Sequence, residues 1–163
     1  MRQTDNDDLL GPRRVLIVDD EYHTRKTIRA LLREMGCTRV HEASDGAIGL
    51  DAVHVLHPDV VLLDWEMPDM DGAEFVRRLR SDRRSAHANV PVVMLTGHNE
   101  HTRVLDAVRL GVHEFLLKPT SPKALRDRLL SIVLCPRPMV QIGKYYVPRP
   151  RRPLTTNELR HAA

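Results

Sequence analysis

The chain has 163 residues, 42% hydrophobic and 29% charged, which suits one domain with a real core plus tails. Two distant cysteines, Cys37 and Cys135, exclude a disulfide framework or a cysteine metal site and fit a reducing cytosol. The net charge of +3 is uneven: Arg137, Lys144, Arg149, Arg151, Arg152 and Arg160 face only Glu158 in the last segment, so the rest is slightly acidic and gives little support to nucleic-acid binding by the whole protein.

The opening residues 1–12 read as a flexible lead, acidic and polar, without the basic start and apolar stretch of a signal peptide. No apolar run approaches the ~18 residues of a membrane span, so a cytoplasmic protein without a membrane partner is expected. Residues 15–18 predict a first strand. Residues 22–35 predict a helix, with Ile28, Leu31, Leu32 and Met35 on one stripe and Gly36 as its stop. Residues 39–42 predict a weak strand, and Ser44 or Asp45 caps a second helix running to Leu56. Pro58 launches a third strand at 60–63. Pro68 and Gly72 mark a loop before a helix at 73–80, and 81–89 is a polar connection. A strand at 92–95, a helix at 101–110, a strand at 114–117 and a helix from Pro122 to Leu134 complete the series. Such strict β-then-α alternation predicts a doubly wound five-stranded parallel sheet with helices on both faces. From residue 135 the pattern stops, and Pro136, Pro138, Pro148, Pro150 and Pro153 forbid a continuous helix. The expected organisation is a domain over 13–134 followed by a Pro/Arg-rich tail over 135–163.

Polar landmarks fall just past the short apolar runs. Asp19 and Asp20 follow 15–18, Asp64 follows 60–63, Thr96 follows 92–95, and Lys118-Pro119 follows 115–117. If the strands are parallel neighbours, these residues share the sheet edge where open α/β folds build their sites. Three carboxylates held together repel one another unless a cation joins them. An oxygen-only cluster beside a lysine points to Mg²⁺ and a phosphoryl group.

The stretches Val15-Leu16-Ile17-Val18-Asp19-Asp20, Leu62-Leu63-Asp64-Trp65-Glu66-Met67-Pro68-Asp69-Met70-Asp71-Gly72, Val93-Met94-Leu95-Thr96-Gly97 and Phe115-Leu116-Leu117-Lys118-Pro119 resemble the receiver domains of two-component response regulators. The resemblance spans 13–134, is closest in kind to the stand-alone, single-domain chemotaxis type, and implies the flavodoxin-like receiver fold. It also implies that Asp64 accepts a phosphoryl group from a phosphohistidine on a histidine kinase or histidine phosphotransfer protein. Asp19, Asp20, Asp64 and the backbone carbonyl of Glu66 would hold Mg²⁺, with Mn²⁺ as the alternative ion. Lys118 and Thr96 would each meet a phosphoryl oxygen. Thr96 and Phe115 would form the switch that alters the face made by the fourth helix, fifth strand and fifth helix. Glu66, Gly97 and His98 would tune the lifetime of the acyl phosphate. On this reading the protein is a phosphoacceptor and signalling switch rather than an enzyme, its only chemistry being self-catalysed phosphotransfer and slow autodephosphorylation. It acts on a downstream protein target, with a homodimer through the switch face or an exchanged tail as a further expectation.

Other readings compete on specific residues. Haloacid-dehalogenase phosphatases also use a strand-end Asp and Mg²⁺, but their working acid is an Asp two residues after the nucleophile, where Glu66 stands here. A phosphorylation-controlled nucleic-acid binder would work through the basic tail, which lacks the length and pattern of a helix-turn-helix. The tail itself reads either as a disordered, solvated end or, through its more apolar segments 137–140 and 145–148, as an extension docking on its own domain or on a second subunit. The pairs His54/His57 and His98/His101 read as solvated or packed, because no further soft ligand converges on them in sequence.

Overall fold

In the computed structural model, residues 9–97 and 101–151 are described, the side chains of 101–103 excepted. Five strands alternate with five α-helices: β1 (Arg14–Val18), α1 (Tyr22–Glu34), β2 (Arg39–Ala43), α2 (Gly46–Leu56), β3 (Val60–Asp64), α3 (Gly72–Ser81), β4 (Val92–Thr96), α4 (His101–Leu110), β5 (Glu114–Leu117) and α5 (Pro122–Leu134). The sheet is parallel throughout, in the order β2-β1-β3-β4-β5. The order reverses between β1 and β3, so a crevice opens outside their C-terminal ends.

Central strands carry unbroken apolar runs because both faces are covered. Leu16, Val18, Val61, Leu63, Val92 and Met94 face a core closed by α2, α3 and α4. Val15, Ile17, Leu62, Val93 and Leu95 face a second core closed by α1 and α5, where Ile28, Leu32 and Met35 form the predicted stripe. Local chemistry sets the helix starts: Asp45 accepts from the Ile48 amide, Asp71 from that of Glu74 and Ser121 from that of Ala124. Gly49 is buried where a Cβ would meet both Val18 methyls at 2.9 Å, so its missing side chain lets α2 lie against β1.

Two segments carry structure beyond the predicted series. The polar connection contains a 3-10 turn, Ala86–Asn89, started by Ser85. Between 135 and 151 the tail follows the docking alternative rather than the disordered one. It forms an antiparallel hairpin, β6 (Met139–Ile142) and β7 (Tyr145–Pro148), around a two-residue Gly143-Lys144 turn in which Gly143 takes φ 57°. Proline prevented a helix there but left these two short edge-like strands possible. β7 packs along α4, Val147 is buried, and the Tyr146 hydroxyl donates to Asn89. Arg83 stacks 5.0 Å from the Tyr146 ring centroid.

Beneath the hairpin lies Arg80, buried with no carboxylate partner among the described residues, donating to the carbonyls of Ala88 (2.7 Å) and Gly111 (2.9 Å). Burial holds its guanidinium down at about 10. A second anchor is Glu114, a buried carboxylate at the start of β5. Arg151 donates to it, while Arg128 and Arg137 each stand 3.6 Å away. The extension thus crosses the edge strand and is tied to both sides of it.

Candidate functional site

The predicted landmarks do converge at the C-terminal edge of the sheet. Asp64 and Thr96 are the last residues of β3 and β4 rather than the first residues beyond them, because the parallel ladder continues through the Asp64–Leu95 and Thr96–Leu117 pairings. Lys118 leaves β5 one residue later, its amide donating to the Thr96 carbonyl at 2.8 Å. Its ammonium reaches Asp19 Oδ2 and Asp64 Oδ1, each at 2.9 Å. Asp19 is fully buried, Asp64 and Thr96 nearly so, and Asp20 is exposed.

The surrounding backbone fixes these side chains. Asp19 Oδ1 accepts from the Glu21 amide at 2.8 Å, and Arg25 donates to the Asp19 carbonyl at 2.8 Å. Asp64 is followed by a tight loop in which Asp69 takes φ 66° and the Gly72 amide donates to the Trp65 carbonyl. A Cβ on Gly72 would stand 2.8 Å from the Asp64 carbonyl oxygen, so glycine is what allows α3 to start against the loop that follows Asp64. Sequence reading marked Gly72 only as a loop residue and assigned Arg25 no part in the site. Their packing against the site required two non-adjacent segments to be placed in space.

Electrostatically the site is poised. Burial pushes the Asp64 carboxyl up to about 6; hydrogen bonding and charge from Lys118 and the Glu66 amide pull it down, while the Asp19 charge pushes it up. Burial would lower the Lys118 ammonium, but Asp19 and Asp64 outweigh it and raise it. Ligand oxygens of Asp19, Asp20 and Asp64 lie within 4.8 Å of one another, the one such group among the described residues. A crowded, all-carboxylate donor set with two of its three members buried and a raised acid is short of positive charge, and its hard oxygens suit a small divalent cation.

The flanking positions fall out differently. Glu66 is exposed, Trp65 is half-buried, and a Cβ built on Gly97 meets nothing within 4 Å, so space lies open beside the strand end. Phe115 is half-buried against the core closed by α2, α3 and α4, and Arg128 donates to its carbonyl at 3.1 Å. His98 lies outside the described residues, as does any pairing of it with Glu66. Cys37 is buried, and burial raises its thiol.

Comparison with known proteins agrees with this geometry. The family model described as response regulator receiver domain matches residues 15–130. The chain is 34% identical over 119 residues to the chemotaxis protein CheY of Pseudomonas aeruginosa, covering 73% of this chain and 94% of that one. It is 32% identical to CheY-3 of Vibrio cholerae, covering 73% and 90%. Among solved structures, Vibrio cholerae CheY4 superposes with a TM-score of 0.68 at 29% identity over 74% of this chain and 98% of that chain. The receiver domain of the Francisella response regulator 1452 gives 0.68 at 26% identity over 75% and 97%. With the sheet order, the carboxylate cluster and the strand-end lysine already in place, these matches establish that the chain belongs to the response regulator receiver family.

Proposed function

We propose that this receiver takes a phosphoryl group onto Asp64 from a phosphohistidine donor and signals by changing a protein-binding surface. The observation that carries the reading is Lys118, whose ammonium stands 2.9 Å from both Asp19 and Asp64 beside a third carboxylate, Asp20. An Asp64 oxygen attacks the phosphorus, an O–P bond forms, and the P–N bond to the donor imidazole breaks with its electron pair passing to the ring. Asp64 must be ionised to attack, and Lys118 favours that state against the cost of burial. Phosphoryl transfer asks mainly for positioning and charge neutralisation, and the fixed backbone around Asp19 and Asp64 supplies the first. Asp19, Asp20, Asp64 and the Glu66 carbonyl would hold Mg²⁺, which when bound supplies neutralisation of the phosphoryl oxygens. Once Asp64 is esterified, its bond to Lys118 is free to pass to a phosphoryl oxygen, and the Thr96 hydroxyl at the neighbouring strand end can donate to another. Movement of Thr96 then leaves room toward Phe115, whose half-buried ring can turn inward and reshape the α4–β5 face. The implied partners are a histidine kinase or histidine phosphotransfer protein upstream and a protein target downstream.

Intact-mass spectrometry after incubation with Mg²⁺ and acetyl phosphate, or with a phosphorylated kinase, tests the proposal. One phosphoryl adduct is expected, absent in Asp64→Asn and absent after chelation. An adduct that survives Asp64→Asn would refute the assignment.

A further inference from the structure

The sequence offers His54 and His57 as a helical pair with no third ligand in view. The fold supplies one. His87, in the 3-10 turn before β4, comes against both: its ring centroid is 4.7 Å from that of His54 and 4.8 Å from that of His57. Three imidazoles from two segments separated by a strand and a helix thus share one patch, and two of them, His57 and His87, line an open cavity of about 290 Å³ together with Asp59 and Asn89. This patch lies at the N-terminal end of β3, so the strand's length, about 13 Å, separates it from Asp64.

The spacing is informative. A metal–nitrogen bond of about 2.0–2.1 Å places each ring centre about 3.2 Å from the metal, so rings sharing a tetrahedral ion are centred about 5 Å apart. His87 stands near that separation from both partners, 4.7 Å from His54 and 4.8 Å from His57. The His57 and His87 planes are stacked at 23°, and the nitrogens of the three rings do not lie within 4.8 Å of one another as the carboxylate oxygens do, so ligation requires the side chains to turn. His54 and His57 are exposed and can turn. His57 caps α2 in the left-handed region (φ 49°, ψ 59°), a place glycine fills more easily, and this conformation sets its ring beside His87.

We propose that His54, His57 and His87 form a binding site for a borderline transition cation of the Zn²⁺ class, separate in place and in ligand chemistry from the carboxylate cluster. Imidazole nitrogens select such ions over Mg²⁺, which prefers oxygen. The bound ion clips the C-terminus of α2 to the turn that precedes β4, and solvent fills the remaining position.

Isothermal titration of the full chain with Zn²⁺, in excess Mg²⁺ to occupy the carboxylates, tests this. The expected result is one Zn²⁺ per chain. Affinity should fall at least about tenfold, the effect that even outer-shell changes have at metal sites, in both His87→Gln and His57→Asn. The asparagine keeps a residue tolerant of the left-handed cap, so that variant stays folded and circular dichroism verifies it. Asp64→Asn should bind as the wild type does, and ring-nitrogen NMR signals of the three histidines should shift together. Absent or substoichiometric binding, unchanged affinity in His87→Gln, or loss of binding in Asp64→Asn alone would each overturn the proposal.

Discussion

His113 offers a test of how tightly the extension and the domain are built together. Its ring is buried between the start of β4 and the tail. The Val92 amide donates to Nδ1 at 3.4 Å, and Nε2 lies 3.2 Å from the Arg137 carbonyl, which fits a neutral ring protonated only at Nε2. A second proton would set donor against donor. Burial first, then the charges of Arg80 and Arg137, lower this histidine from 6.5 to about 3, against a partial offset from its bond to the Arg137 carbonyl. The unfolded chain therefore binds one more proton than the folded one between those values. The stability linked to the neutral ring is complete above about pH 6.5, declines as pH falls below it, and is exhausted near pH 3. At about 1.4 kcal/mol per unit the full contribution is about 5 kcal/mol, of which about 2 kcal/mol is lost between pH 7 and pH 5. Urea unfolding across that interval, for the wild type and His113→Asn, measures it: the wild type should lose about 2 kcal/mol more than the variant on acidification. Parallel pH profiles, or a ring that titrates near 6.5 by NMR, would refute the reasoning.

Other outcomes follow from the same structure. Arg80→Met should cost about 3 kcal/mol in urea unfolding, because the buried carbonyls of Ala88 and Gly111 lose their donors at about 1–3 kcal/mol each; a loss under about 1 kcal/mol would mean that water replaces the guanidinium. Glu114→Ala removes the acceptor shared by Arg128, Arg137 and Arg151, so amide exchange across 139–148 should accelerate while Asp64 phosphorylation persists. Unchanged exchange would place the docking energy in the Tyr146–Arg83 contact instead. Lys118→Ala should slow phosphorylation from acetyl phosphate about a hundredfold, the typical effect of removing one preorganised electrostatic partner, as read by single-turnover mass spectrometry.

Much of the site was legible without coordinates because the parallel α/β rule converts chain position into spatial position. A polar residue just past a buried apolar run lands on the C-terminal edge, so Asp19, Asp64, Thr96 and Lys118 could be grouped before any distance was known. The same rule read the five strands, and local chemistry read helix starts at Ser44 or Asp45, of which Asp45 is the cap, and at Pro122, where Ser121 proves to be the cap. The exposure of Glu66 and the open space beside Gly97 belong to the shape of a loop, which no periodicity encodes.

Sequence by itself determined the strand–helix alternation, the two-sided sheet and the membership of the carboxylate cluster, since each follows from local pattern repeated along the chain. Tertiary structure alone decided what depends on distant segments meeting. Proline spacing in the tail excluded a helix but could not reveal that β6 and β7 would pair and lie on α4. Arg80 looks in sequence like one more basic residue of an exposed helix face, yet the turn at Gly111 and the hairpin's Tyr146 enclose it. Likewise His87, thirty residues from His57, joins it only because β3, α3 and the 3-10 turn return the chain to the same end of the sheet. Short-range physics writes the elements into the residues; burial of a charge or convergence of ligands is a property of packing, and exists only once the whole chain has closed on itself.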